Sequence, residues 1–319
     1  MTSEAVIKLQ GISYIWIKKS DKKIIHNYRI ISPLLCLYDG SIHVAIRSFD
    51  SEKIDYFLLV DIENLNTKLV KAKNCYPRKN DKEGRYFEYR DFSGSRYHQV
   101  LNLYNIIENN NKDNQGLKSI NKSEGVFISI DMCPSINKIE KNVFVKLKEK
   151  SKLNKVHVSI AISGLWIIQN KEDFFWLQSL KSDNFIITWV NHSFTHRYYK
   201  DVDMESNFLL LSDTVIQSEI LDTERILIEH GEVPSIFFRF PGLISDEKFV
   251  EVLKKYGLVQ LGTRAWISKM KKDKRIEKGD IILIHGNGNE EKKALEELYK
   301  FIKDTNLKFF NLEDEIKYE

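Results

Sequence analysis

Chemically capable residues stand at the ends of four short apolar runs that lie far apart in the chain. VFISID ends in Asp131, FIITWV leads into Asn191 and His192, SIFFRF carries Arg239 and is stopped by Pro241, and DIILIH ends in His285. In parallel β/α folds the loops leaving the carboxyl ends of the strands converge, so a carboxylate, imidazoles and a guanidinium would face one mouth. Within this set His192-Ser193-Phe194-Thr195-His196 has the best-defined spacing. Histidines at i and i+4 share one face of a helical turn and can offer two nitrogens to one divalent ion. The same spacing also fits one imidazole that caps a turn and one that is hydrogen-bonded in a core. A first-row metal wants a third ligand, and Asp131 at a neighbouring strand end is the natural supplier.

In order and approximate spacing, four stretches resemble the motifs of NodB-type polysaccharide deacetylases, carbohydrate esterase family 4. They are Ser129-Ile130-Asp131-Met132-Cys133-Pro134-Ser135, His192-Ser193-Phe194-Thr195-His196, Arg239-Phe240-Pro241-Gly242 and Leu283-Ile284-His285. The resemblance covers roughly residues 125 to 315. It implies a distorted (β/α) barrel, a bound divalent metal, commonly Zn2+, and removal of N- or O-acetyl groups from sugars. Residue by residue it implies that Asp131 is the general base for the attacking water and that His192 and His196 hold the metal. Arg239 would orient and ionise Asp131, and His285 would protonate the departing amine. Pro241, Gly242 and Trp266 would line the substrate side, with Trp266 as an apolar wall for the acetyl methyl. Amide hydrolysis needs an activated nucleophile, a polarised carbonyl and a proton for a poor leaving group, so each role has a physical reason.

Departures from the family pattern touch metal affinity and proton transfer. Where the family has two adjacent aspartates, the second a metal ligand, Asp131 is followed by Met132, whose thioether is a poor partner for zinc beside imidazoles. Gly242 replaces an aromatic, and Ala265-Trp266 stands where an Asp-Trp pair would tune the catalytic histidine. Three outcomes follow: Asp131 becomes the third ligand and another group the base, the metal is held weakly, or catalysis is lost. Asp201 and Asp203 are substitutes in sequence but read as a solvated loop. Cys133 reads as a small buried residue, and Gly286-Asn287-Gly288-Asn289 as a turn rather than a phosphate loop. The basic run from Lys269 to Arg275 reads as a solvated loop.

The elements that must position these residues change character along the chain. Residues 1–107 contain short β-branched and aromatic runs such as SIHVAIRS and DYFLLVDI, broken by turn signals like Tyr38-Asp39-Gly40-Ser41, and read as a β-rich accessory domain. Residues 108–124, nearly free of large apolar side chains, read as a polar linker. From 125 to 319, six buried-strand runs alternate with amphipathic segments, the pattern of a (β/α) barrel. The helix after Arg239 shows the logic: Ser245 as cap, Phe249, Val250 and Leu253 as the apolar stripe, and Gly257 as the left-handed stop.

Composition narrows the function classes. With 319 residues and 42% hydrophobic positions the chain can bury a large core. Lys+Arg 49 against Asp+Glu 45 leaves +4, too even to indicate nucleic acid. Three cysteines without C-x-x-C spacing argue against a disulfide framework, and with no export signal or membrane-length apolar stretch the expectation is a soluble cytoplasmic protein. The expected function is metal-dependent removal of an acetyl group from an N-acetylated sugar or glycan precursor. The alternatives are a catalytically degenerate deacetylase fold that binds carbohydrate or a protein, and hydrolysis of another C–N bond.

Overall fold

The computed structural model describes residues 5–9, 12–16, 23–77, 94–152, 154–271 and 273–316. Strands β1 (Ala5–Leu9) and β2 (Ile12–Trp16) form an antiparallel hairpin. A second antiparallel sheet follows from β3 (His26–Tyr38), β4 (Ser41–Ser51), β5 (Ile54–Asp61), β6 (Thr67–Lys71) and β7 (Tyr76–Pro77), in the spatial order β6-β5-β4-β3-β7. Its first hairpin turns at Asp39-Gly40, both at positive φ, with Tyr38 paired to Ser41. Two-residue turns of this handedness match the twist of the flanking strands, which is why the sequence signal was readable.

Cys36 on β3 and Cys75 form a disulfide, with Cα atoms 5.4 Å apart. This corrects the expectation drawn from the cysteine count: a single bridge leaves Cys133 over, so an odd total does not exclude it. Disulfides persist in oxidising surroundings, so the cysteines lend no support to the expected cytoplasmic location.

Helix α1 (Arg96–Tyr104), capped by Ser95, joins this sheet to a parallel one. The latter contains β8 (Gly125–Met132), β9 (Val156–Ile162), β10 (Phe185–Asn191), β11 (Pro234–Phe238), β12 (Val259–Gln260), β13 (Ala265–Trp266) and β14 (Ile281–His285). Their order is β12-β11-β10-β9-β8-β14-β13, all parallel, and β15 (Lys308–Phe309) pairs beside the start of β8. Helices α2 (Lys141–Ser151), α3 (Gly164–Gln169), α4 (Lys171–Ser179), α5 (Ile216–Glu229), α6 (Glu247–Lys255) and α7 (Lys292–Asp304) intervene, and α8 (Leu312–Ile316) ends the described chain. The sheet curls into a half-barrel, the expected α/β class. All six expected strands are present. β13, only two residues long, was not anticipated. α6 is capped by Asp246, which accepts from the Phe249 N–H at 2.9 Å, while Ser245 is buried and accepts from Gln260 instead. Gly257, at φ +71°, makes the expected stop.

The polar segment 108–124 is not a free linker. Leu117 and Ile120 are fully buried, and the backbone bridges the two sides of the curl. Leu117 N–H donates to Gln260 O and Gly262 N–H to Leu117 O, while Ile120 N–H donates to Gly279 O and Ile281 N–H to Lys118 O. The Asn114 amide donates to Thr263 O and accepts from Thr263 N–H. Backbone groups of Leu117, Lys118 and Ile120 make the contacts with the neighbouring strands, so a polar side-chain composition does not keep this segment in solvent.

Nor is the β-rich region a detached domain. Leu35, Val44, Ile46, Leu58 and Val60 share one apolar cluster with Val190, Ile236, Val259 and Ile281 of the parallel sheet. Arg47 on β4, with no solvent access, donates to both carboxylate oxygens of Glu224 on α5 (2.7 and 2.9 Å) and to Tyr256 O (2.6 Å). Tyr28 donates to the same carboxylate at 2.8 Å. Removing one partner of such a buried pair strands the other charge, so Glu224→Ala should destabilise by roughly 3–5 kcal/mol in urea unfolding. The double variant Arg47→Met, Glu224→Leu should recover most of it.

At the other side of that cluster Leu312 and Ile316 of α8 enter the same core, carrying Glu313 with them. Thr188 Oγ1 lies 2.9 Å from its carboxyl, and burial pushes its pKa up to about 7. An acid raised in the folded state contributes full stability below its unfolded pKa and loses it as pH rises through 7. Glu313→Gln should therefore raise the melting temperature at pH 8 and change it little at pH 5, by calorimetry.

Candidate functional site

Strand alternation on β8 sorts its side chains between two environments. Ile128, Ile130 and Met132 enter the apolar cluster beneath the helices, whereas Asp131 and, just past the strand end, Cys133 line a cavity of about 390 Å³. Met132 is fully buried and so close to Gly286 that a Cβ there would stand 2.6 Å from its methyl. Met132 thus faces the core, away from the cavity.

From β11 the Arg239 guanidinium, fully buried, reaches across to fix Asp131. Its Nη1 donates to Asp131 Oδ1 at 2.6 Å and to Ser129 Oγ at 2.8 Å, and Nη2 donates to Gly262 O at 3.0 Å. Its backbone acts too: Arg239 O accepts from His192 Nδ1 at 2.8 Å. With Nδ1 as donor, the lone pair of His192 Nε2 is left facing Cys133 Sγ at 3.6 Å and Asp131 Oδ2 at 3.8 Å.

Residues 192–196 do not form the helical turn that the spacing suggested. The chain bends, with Ser193 and His196 both at positive φ, yet the two imidazoles meet edge to face with centroids 4.7 Å apart. Two anchors make this bend. Asn191 accepts from Ser193 N–H and donates to Ile220 O, and buried Glu219 on α5 accepts from Phe194 N–H, Thr195 N–H and Thr195 Oγ1. The Glu219 anchor lay outside the motif and carried no signal in spacing.

Cys133 Sγ and one ring nitrogen each of His192 and His196 lie within 4.8 Å of one another. Asp131 is not in this group, which corrects its expected place as third ligand: Arg239 has drawn its carboxylate aside. The donor set fits a divalent ion, and His196 Nε2 is buried without any hydrogen-bond partner, as a nitrogen awaiting one would be. Burial opposes ionisation of the Cys133 thiol, but the charge of His196 and the polar contacts with the rings of His192, His196 and His285 hold its pKa well below the ordinary value. Burial likewise opposes protonation of His196, and the Cys133 thiolate overrides it, raising that pKa. Cys133, read from sequence as an inert buried residue, is thus central. Asp201 and Asp203 are exposed outside the group, as expected of a solvated loop.

His285 ends β14 on the opposite flank. Glu290 Oε2 accepts from its backbone N–H at 2.9 Å and lies 3.2 Å from Nδ1. Burial disfavours the imidazolium, yet hydrogen bonds with Cys133 and Glu290 and the charges of Cys133 and Asp131 raise its pKa to about 10. The carboxylate that holds His285 is thus Glu290, five residues on, after the Gly-Asn-Gly-Asn turn. That turn also has work to do: Asn287 donates to Cys133 O at 3.0 Å.

Trp266, Leu243, Phe208, Met204 and Tyr198 give the cavity an apolar rim. Gly242 lines it as well, at φ +62°, and a Cβ there would meet the Phe208 ring at 2.3 Å. Phe208 thus packs directly over Gly242 and leaves no room for a side chain there. Pro241 is buried behind this wall and does not line the cavity, contrary to expectation; it begins the turn that presents Gly242.

The sequence-family description "RP012 protein N-terminal domain" matches residues 27–97. Among solved structures the chain is similar to a family 4 carbohydrate esterase from Bacillus anthracis, with 20% identity over 63% of this chain and 86% of that one and a TM-score of 0.46. It is similar to PdaA of Bacillus subtilis, a family 4 carbohydrate esterase, at 16% identity over 68% and 87%, with a TM-score of 0.46. A family 4 pseudoenzyme from Bacillus anthracis aligns at 17% identity over 61% and 66%, with a TM-score of 0.41. Residue roles therefore rest on the geometry of the site itself.

The orientation of Met132 makes one substitution diagnostic. Met132→Asp should bury an unpaired carboxylate among Ile130 and the helix layer and lower stability by about 3 kcal/mol or more, with no gain in metal affinity. Urea unfolding and a zinc titration on the same variant read both.

Proposed function

We propose that this chain is a metal-dependent hydrolase that removes the acetyl group from an N-acetylated sugar or glycan precursor. One observation carries the reading: an Arg-held carboxylate, an imidazole pair with a thiol, and a Glu-held imidazole face one another across a single cavity with an apolar rim.

Cys133, His192 and His196 would hold the ion, Zn2+ by the chemistry of the donors. When bound, it supplies a Lewis acid beside the amide carbonyl. The remaining steps belong to the protein. Asp131, aimed by Arg239, takes the proton of the attacking water through Oδ2, the oxygen that faces His192. His285 carries a proton on its inward nitrogen, Glu290 fixing the other, and delivers it to the amine as the C–N bond breaks. Gly242 keeps its backbone N–H near the carbonyl oxygen, and Trp266, Leu243 and Phe208 receive the acetyl methyl and the apolar face of a pyranose ring.

Acetate release from N-acetylglucosamine oligomers with added Zn2+ tests the reading. Asp131→Asn and His285→Ala should each lower kcat by about 10²–10⁴-fold without unfolding the protein. Glu290→Gln should shift the alkaline limit of kcat to lower pH, because a histidine whose pKa is held up loses its proton sooner when the carboxylate is gone. A second reading, a fold of this type that binds glycans without catalysis, rests on the apolar rim, which would receive a sugar ring with or without a reaction. Absence of acetate from a broad panel of acetylated sugars, despite bound metal, would establish it over the first.

A further inference from the structure

We infer that Cys133 is a thiolate ligand of the metal centre, occupying the corner that a second carboxylate would fill, and that the centre in consequence selects thiophilic divalent ions over hard ones. This rests on the reading of the cavity as a metal centre, but not on the reaction performed there.

Four features of the chain converge on it. Alternation along β8 gives Asp131 and Cys133 to the cavity and withholds Met132, so the next side chain able to supply an anion beside the histidines is the thiol. The Sγ stands 3.6 Å from His192 Nε2, and the three donors of the group lie within 4.8 Å of one another, so modest adjustment brings all of them onto one ion. Both histidines are ready for such a partner: His192 Nδ1 is committed to Arg239 O, and His196 Nε2 is buried and unsatisfied. Finally, Asn287 holds the Cys133 carbonyl, which fixes the residue's backbone, while the cavity leaves a fourth position open to substrate. Three protein ligands with one open position is the arrangement of catalytic zinc sites.

Thiolate ligation has a specific chemical outcome. Soft sulfur with two imidazoles suits Zn2+ and Co2+, whereas Mg2+ and Mn2+ prefer an all-oxygen or carboxylate-rich shell. It also removes the competition between ligand and base at Asp131. Because Cys133 completes the donor set, the carboxylate stays with Arg239.

Metal-stripped full-length protein titrated with Co2+ provides the test, since a thiolate ligand adds an intense sulfur-to-cobalt charge-transfer absorption in the near ultraviolet that nitrogen and oxygen ligands do not give. The band should appear at one equivalent, vanish in Cys133→Ser, and remain absent in Cys133→Asp even though Cys133→Asp regains part of the affinity. Zn2+ should bind at least tenfold more weakly to Cys133→Ser than to the parent, and it should protect Cys133 of the parent from alkylation by iodoacetamide. Mn2+ should not protect. A cobalt complex without the band, or unchanged Zn2+ affinity in Cys133→Ser, overturns the inference while leaving metal-dependent hydrolysis standing. No binding of either ion by the parent overturns both. A thiolate signature without acetate release upholds the inference and removes the deacetylase reading.

Discussion

A guanidinium shut away from water must find a protein acceptor for its donors, and the site is organised around the one that does so. Arg239 reaches Asp131 and Ser129 on one side and the carbonyls of Leu261 and Gly262 on the other, which ties β8 to the chain leaving β12 across the inside of the curl. Its own carbonyl sets the tautomer of His192. Deleting the side chain would leave Asp131 without its counter-charge and two carbonyls without a donor, so the positions of Asp131 and His192 would be lost together. Site chemistry and local fold stability are here the same set of bonds.

The period of a β-strand then decides which departures matter. With side chains alternating by residue, a two-residue motif offers the cavity only one of its members unless the backbone twists out of the strand. β8 remains paired through Met132, opposite Ile162, so the thioether is a core residue and Cys133 is the next to face inward. The side chain that the cavity receives after Asp131 is therefore Cys133 and not Met132.

Much of this was legible beforehand, for a physical reason. Strands buried on both faces write continuous apolar runs, and polar residues at their carboxyl ends stand out against them; hence Asp131, His192, Arg239 and His285 were found together. Three kinds of feature were not legible. Glu219, Glu290 and Phe208 act from segments with no motif of their own, through contacts that only the folded chain brings close. Cys133 was masked by the general tendency of cysteine to be buried and inert. The 108–124 segment failed for another reason, since its contacts with the neighbouring strands are made by backbone groups, which leave no mark in side-chain composition.

That segment carries a consequence for the order of assembly. It precedes the first strand of the parallel sheet, yet its hydrogen bonds go to Gln260, Gly279 and Ile281, near the last strands to emerge. The curl is therefore fastened by its earliest piece of chain onto its latest, a contact of high sequence separation whose loop-closure entropy must be met before it returns anything. On a ribosome the fastening waits until the chain through Ile281 has emerged, so the mouth takes its final width only after the seven parallel strands have been made.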